Sequence, residues 1–451
     1  PEEFGKFAVV ISFLAIADAL FSLPFENSII QSQRLGKNDI NSIWTYSRLF
    51  RSIIFFFIFN LFIKSFHFEF LIEDKNLYYI ASLSILGSGF YNTFINQKIR
   101  KIDYKGDIIS SFAGRIARLI ILVILCLYFQ NAYALIISWL VEIYLKSISS
   151  YLVISEKVSI SLDLKPIKKH LKYSVSAYFV NLLDQLLLNL ENLLAVTFIN
   201  IKFAGLFQAT KRINSEFTAD FKMILEKILF PFYSRIQKKN NKILHNINLY
   251  YPLILYVAGI STISAFLFID DLVKLLLGNK WIEVIIFCKI YLIYSFCNII
   301  NVQTKSIFRA LNIQKYIMYS SIVYLLLVTI FSFVFHLNDF LNGQLFIFIV
   351  SFSSMFIMCL NVYFVKINIG LSLIKFLKDN FVTIFSLIFS ALLLLLTSFL
   401  YLNSIENKIL IYTIKTSLLI FLISQFYYLY NFNYSNFKKN LQHILKKILK
   451  N

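Results

Sequence analysis

Apolar residues in this chain run in long blocks rather than in alternation, and the blocks recur from end to end. Thirteen can be marked, at roughly 5–30, 43–64, 77–97, 108–128, 133–154, 173–198, 203–230, 249–269, 281–304, 318–336, 343–365, 381–401 and 409–430. Short polar stretches separate them. A helix rises 1.5 Å per residue, so about 20 apolar residues cross the ~30 Å hydrocarbon core of a bilayer. Barrel strands would alternate apolar and polar positions, which these blocks do not. The pattern predicts an all-α polytopic membrane protein.

Composition agrees. Of 451 residues, 58% are hydrophobic and 15% charged, against roughly 45–50% and about 25% in soluble domains. That excludes a soluble domain, a disulfide scaffold and a disordered chain. Lys and Arg total 44 against 24 Asp and Glu, a net charge of +20. In a polytopic protein such an excess belongs to cationic loops facing anionic headgroups rather than to nucleic acid, which is not expected as a partner.

The loops fix an orientation. One alternating set holds Arg34 and Lys37; Lys98, Arg100, Lys101 and Lys105; Lys157, Lys165, Lys168, Lys169 and Lys172; and Arg235, Lys238, Lys239 and Lys242. It continues with Lys305, Arg309 and Lys315, then Lys366, Lys375 and Lys378, and ends in the tail lysines 438, 439, 446, 447 and 450. The other set has Lys75, Lys202, Lys274, Lys280 and Lys408 among Glu69, Glu73, Asp74, Asp270, Asp271, Asp339 and Glu406. The positive-inside rule places the first set in the cytoplasm and residue 1 outside. A chain that starts outside with Pro1-Glu2-Glu3 implies an earlier helix, giving fourteen in all with both ends cytoplasmic.

Further readings narrow the chemistry. Cys126, Cys288, Cys297 and Cys359 all lie in apolar runs, and the five histidines are scattered, so no metal cluster or disulfide framework is expected. No GxGxxG or Walker-type loop occurs, so no ATP-driven motor is encoded and no cofactor is expected. The loops are too short for a catalytic domain, which argues against an enzyme. The longest inner loop, 155–172, contains Pro166 and marks a seam between an N-terminal bundle (1–154) and a second bundle (173–366). Two extra spans (367–430) and a basic tail (431–451) follow. The tail reads either as an amphipathic interfacial helix or as a solvated basic segment. A faint repeat supports two halves: Phe4-Gly5-Lys6-Phe7-Ala8 opens the first block and Phe203-Ala204-Gly205-Leu206-Phe207 the seventh.

Charges at membrane depth are costly and usually face a cavity or a partner. Arg115 and Arg118 lie in the fourth block beside Gly114 and Ala117. A guanidinium is a forked, permanently charged phosphate donor, so the pair suits an anion-binding cavity; the alternative is a buried ion pair with Glu142 or Asp184. In the seventh block Gln208, Arg212, Glu216 and Asp220 share a helical face, with Lys211 adjacent. That face either lines a wet interior or neutralises itself as an i,i+4 ladder. Asp18 and Asp184 are candidates for proton or sodium coupling or for structural acids. Arg48 and Arg51 read as snorkelling to headgroups or as a cavity mouth. Lys289, in the ninth block and outside the midplane, carries the same two readings.

Three stretches carry a family resemblance. Pro1-Glu-Glu-Phe-Gly-Lys-Phe-Ala8 resembles the "GPEEFGxFA" opening of the second helix in bacterial polysaccharide (O-antigen) flippases of the multidrug/oligosaccharidyl-lipid/polysaccharide exporter superfamily. Asp184, Glu191-Asn-Leu-Leu-Ala-Val-Thr-Phe198 and Phe203-Ala-Gly-Leu-Phe-Gln-Ala-Thr-Lys-Arg-Ile213 are similar to that family's junction between the seventh and eighth helices. Asp271-Leu-Val-Lys-Leu-Leu-Leu-Gly278-Asn-Lys-Trp281 is similar to its "LVxLLFGxxW" loop. Ser22-Leu-Pro-Phe-Glu-Asn-Ser28 departs from the glycine-rich end of the family's second helix. The resemblance implies an alternating-access exporter fold of two six-helix bundles, the first lacking its first helix here, plus two C-terminal helices. It implies a flippase of the bacterial inner membrane carrying an undecaprenyl-diphosphate-linked oligosaccharide, alongside membrane lipids and a possible polysaccharide polymerase partner. Arg115, Arg118, Lys211 and Arg212 would then meet the diphosphate. A drug/cation antiporter or lipid II flippase of the same superfamily is the alternative. A membrane O-antigen polymerase or glycosyltransferase is the alternative from another class.

Overall fold

The structure, a computed structural model, describes residues 1–26, 29, 36–65, 74–100, 103–236, 240–311, 313–370 and 417. Among them every regular element is helical. In chain order they are α1 (Glu2–Phe21), α2 (Lys37–Trp44), a π-helical turn (Thr45–Phe50), α3 (Arg51–Ser65), α4 (Lys75–Gly89), α5 (Phe94–Arg100) and α6 (Lys105–Tyr128). There follow α7 (Ala132–Val153), α8 (Lys165–Phe198), α9 (Ile201–Ile236), α10 (Asn240–Leu276), a 3₁₀ turn (Asn279–Trp281), α11 (Glu283–Ala310), α12 (Lys315–Leu337) and α13 (Gly343–Ile369). The two C-terminal blocks at 381–401 and 409–430 and the basic tail lie outside the described residues, as does the side chain of Asp220.

Among the described residues, eight helices are long and apolar enough to cross a membrane: α1, the continuous α2–α3 rod, α6, α7, and α10 to α13. This is an all-α, multi-pass membrane protein. Helices α8 and α9, at 34 and 36 residues, have the length but are more polar. The third block is not one rod. It breaks at Phe90–Thr93, where the side chain of Asn92 accepts the Phe94 amide at 3.0 Å and starts α5. The first block stops at Phe21, short of Pro24, whose ring restricts the residue before it.

Packing divides the chain into two units. The first is Pro1–Gln208 with Thr329–Gly343; the second is Ala209–Val328 with the described residues from Gln344. In the first unit α6 and α7 form a hairpin, α1 packs along α8, and α4 lies between α3 and α7. Helix ends are tied by side chains. Asp74 accepts the Asn76 amide at 3.1 Å at the start of α4, and Glu3 accepts the Ala132 amide at 2.7 Å at the start of α7. Both occupy amides that a helix leaves unpaired. The second unit is built on α10 and α11 around Tyr233, Ile243, Tyr251, Ile300 and Phe308. Two polar contacts lie inside it: Gln303 donates to the Tyr233 hydroxyl at 2.7 Å, and Asn361 to Asn301 at 2.9 Å.

Exposed apolar rows run along single helices, including Ile54, Phe57 and Leu61 on α3 and Leu119, Val123 and Leu127 on α6. Hydrocarbon, not water, suits such faces.

Candidate functional site

The polar groups of the first unit gather in three places. On the α6–α7 hairpin, Arg118 Nη1 donates to Glu142 Oε2 at 2.9 Å, and its guanidinium stands 5.9 Å from the centroid of the Phe7 ring of α1. Arg118 is partly shielded, and Arg115, one turn away, is exposed. Of the two readings of Arg118, the structure realises the ion pair with Glu142, with the Arg118 side chain 31% exposed.

The second cluster surrounds the π-helical turn, an irregularity that often marks functional positions. Arg48 points back at Glu26 through Nη2–Oε2 and Nε–Oε1 contacts of 2.5 Å, and donates to the Ser88 carbonyl at 2.9 Å. Arg51 pairs with Asp18 at 2.9 Å. The Arg48 guanidinium also lies 4.8 Å from the Tyr91 ring, and Tyr91 donates to Asp107 at 2.9 Å. Arg48 and Arg51 are 15% and 17% exposed, so neither snorkels: both turn into the protein, where carboxylates hold them. Asp18 accordingly has a structural partner.

At the third, α8 crosses α1 and the start of α9. Asn192, buried, donates to Ser12 Oγ at 2.8 Å and to Gln208 Oε1 at 3.0 Å. Its neighbour Glu191 is 1% exposed. Asp184 lies exposed on the same helix. Nearby, the first turns of α1 and α9 meet backbone to backbone. A Cβ on Gly205 would stand 2.7 Å from the Gly5 nitrogen and 3.1 Å from its Cα, and closer still to the Pro1 carbonyl. A Cβ on Gly5 would meet the Gly205 nitrogen at 3.0 Å and press on the Ile201 carbonyl. The two glycines of the repeated Phe-Gly and Ala-Gly openings therefore touch each other.

In the second unit the buried face of α9 is Thr210, Asn214 and Thr218, and the Asn214 and Thr218 side chains donate to the carbonyls of Thr210 and Asn214, one turn back. Arg212 and Glu216 are on the exposed face, 75% and 64% exposed, and pair at 2.8 Å. The first rung of the predicted ladder is thus formed; Asp220 lies outside the described side chains. Lys211 is half-buried. Lys289 on α11 pairs with Asp270 of α10 at 2.8 Å.

Sequence reasoning missed Glu26 and the network around Arg48. Glu26 falls inside the apolar block at 5–30, where nothing in the sequence marks it as a partner. Glu191-Asn192 was readable as a polar pair within an apolar block and received no role.

The residues from 1 to 286 match the model of a family described as "Polysaccharide biosynthesis protein". A search of curated proteins finds no match. Among solved structures, the chain resembles a lipid II flippase, MurJ, in an inward closed conformation, with TM-score 0.71 and 15% identity over 94% of this chain and 93% of that one. It also resembles an inward-facing multidrug resistance MATE family transporter of the MOP superfamily, with TM-score 0.66 and 13% identity over 82% and 91%. A second MATE structure aligns with TM-score 0.51 and 10% identity over 81% and 86%. At these identities the likeness is one of fold, and the fold is that of alternating-access exporters and flippases.

Proposed function

The chain belongs to the polysaccharide biosynthesis protein family, and on that footing we propose that it flips an undecaprenyl-diphosphate-linked oligosaccharide from the inner to the outer leaflet of the bacterial inner membrane. The observation that carries this reading is the family match over residues 1–286, which spans every cation proposed to meet the headgroup. The C-terminus would be cytoplasmic, on the lysine-rich side. The transported unit would then serve a polysaccharide polymerase on the far side. Transport of this kind forms and breaks no covalent bond.

A diphosphate sugar is too polar for hydrocarbon, so its hydration has to be replaced by fixed donors. Arg115 and Arg118 would supply them in the first unit, Lys211 and Arg212 in the second. Glu142 holds Arg118, and Glu216 holds Arg212. An exposed ion pair of the Arg212–Glu216 kind contributes only ~0–1 kcal/mol, so a phosphate oxygen displaces its carboxylate readily. Asp18, paired with Arg51, reads as a structural acid. Asp184, Glu216 and Asp220 remain the candidates for ion coupling.

Deletion of the gene should leave lipid-linked repeat units on the inner face while surface polysaccharide disappears. Arg118→Ala with Arg212→Ala, expressed at the parent's level, should fail to restore it. Full restoration by that double variant would remove the headgroup assignment.

A further inference from the structure

Between α7 and α8 the chain leaves regular structure from Ile154 to Leu164, starting from an extended Ile154, and its polar and apolar residues alternate in an unusual sense. Ser159 and Ser161 hydrogen-bond to the α2–α3 rod. Asn41 Nδ2 donates to Ser159 Oγ at 2.7 Å, and the Ser159 amide donates to Asn41 Oδ1 at 3.2 Å. The Ser161 amide donates to Thr45 Oγ1 at 3.0 Å, and its hydroxyl to Asn38 Oδ1 at 3.0 Å. Tyr46 closes the ladder on the Leu162 carbonyl at 2.9 Å. These partners fall on one face of the α2 rod at helical spacing, so a period of two has been zipped to a period of 3.6.

The consequence is that Ile160, Leu162 and Leu164 point away, 67%, 66% and 49% exposed. Water is a poor neighbour for three adjacent large aliphatics. The same segment is flanked by Lys157, Lys165, Lys168 and Lys169, all exposed. An anchored backbone, a row of outward aliphatic side chains and a fringe of ammonium groups together match the boundary between acyl chains and anionic headgroups. The flanking helices carry the apolar rows onward: Ile148 and Leu152 are exposed on α7, and Leu171, Val175 and Phe179 on α8.

We propose that residues 156–164 form a lipid-seated strap: Ile160, Leu162 and Leu164 insert into the leaflet on the lysine-rich side, and the flanking lysines select anionic headgroups. The strap is independent of which cargo is carried. It fixes one rim of the first unit to the membrane surface through backbone held by α2, and leaves the lysines free to sense headgroup charge.

The test uses the full-length protein in nanodiscs of phosphatidylcholine alone or with about one-third phosphatidylglycerol. Exposed Cys126 and Cys359 are replaced by Ser, and single cysteines are placed by Ile160→Cys, Leu162→Cys and, as a reference, Ser155→Cys. Spin labels at the first two should collide with oxygen and be shielded from a nickel chelate in anionic discs, while the label at 155 stays nickel-accessible. Each of Lys165→Gln, Lys168→Gln and Lys169→Gln should lower the ratio of lipid-seated to unseated label about five-fold. Labels at 160 and 162 as nickel-accessible as at 155 in both lipids would overturn the proposal. So would shielding that occurs in native membrane vesicles but not in nanodiscs, which would mean a protein partner covers the row. Hydrogen exchange on the unsubstituted protein is the parallel readout. Slower exchange over 156–164 in anionic discs supports the strap, and equal exchange in the two lipids counts against it.

Discussion

Replacing Gly205 by Ala should force apart the first turns of α1 and α9. The added Cβ would stand 2.7 Å from the Gly5 nitrogen and 3.1 Å from its Cα, whereas non-bonded carbons settle at about 3.5–4.0 Å. The obstacles are backbone atoms, which cannot rotate away as a side chain would, so the helices have to separate by on the order of 1 Å at the crossing. Overpacking of this kind costs about 1–3 kcal/mol, and that lowers the population of the crossed arrangement some 5- to 150-fold relative to any alternative. Gly36→Ala is the control, since the nearest atom to its Cβ would be Asp39 Oδ2 at 3.8 Å. Distances between spin labels at Glu2→Cys and Lys202→Cys, both exposed, give the readout. The parent should show one narrow short distance, Gly205→Ala a broadened or longer one, and Gly36→Ala the parent's. An unchanged distribution and midpoint of thermal unfolding for Gly205→Ala would refute the reasoning.

Further outcomes follow from the polar clusters. Asp18→Asn should destabilise by about 1–3 kcal/mol, because it strands the Arg51 guanidinium inside the protein; pairing it with Arg51→Gln should recover part of the loss in a thermal melt. Asn192→Ala removes donors from Ser12 and Gln208 and should lower stability by about 1–3 kcal/mol, with Asn192→Ser intermediate. The start of α8 should loosen on acidification. His170 is buried at 7% exposure, and burial pushes its imidazole below the ordinary value of 6.5. The folded chain therefore prefers it neutral. Its contribution is complete above pH ~6.5 and is lost as pH falls through the depressed value. Exchange-corrected hydrogen uptake over 165–172 should rise between pH 7.5 and 5.5; no change, or greater protection at pH 5.5, would contradict this. Glu156 behaves in the same direction much lower. Its own backbone amide and Lys98 hold the carboxyl below 4.5, so its pairing with Lys98 persists at pH 5.5.

Span positions were readable because each depends only on local hydropathy: the block at 108–128 became α6, and that at 318–336 became α12. Breaks were less readable. The stretch 77–97 is apolar throughout, and nothing in its hydropathy shows that Asn92 abandons the helix to cap the next one. Partners were the hardest. Depth along a helix is counted from the sequence, but azimuth against a neighbour is not, so only the packing of α7 against α6 tells that Glu142 is the partner of Arg118. Arg48 and Arg51 failed for a related reason, since Glu26 and Asp18 approach from α1 and the segment just beyond it. The strap was the opposite case. Ser159-Ile160-Ser161-Leu162 and Asn38, Asn41, Ser42 and Thr45 are each legible as periodic patterns, but their match is visible only once a segment outside regular structure lies along a helix.

If the proposed cations meet the headgroup, the carboxylates beside them would bear on turnover rather than affinity. A bare guanidinium in a low-dielectric cavity would hold a diphosphate strongly, and cargo held equally well in every state is never released. On the proposed reading, Glu142, at 2.9 Å from Arg118, and Glu216, at 2.8 Å from Arg212, would act as internal competitors that refill the donors when the cargo leaves. Removing one should therefore act opposite to removing the cation. On the proposed reading, Glu142→Gln retains more lipid-linked diphosphate than the parent in purified protein yet restores less surface polysaccharide, because release becomes the slow step. Arg118→Ala lowers both. If Glu142→Gln lowered retention as Arg118→Ala does, the acid would be orienting the cation rather than competing for it, and the release argument would fail.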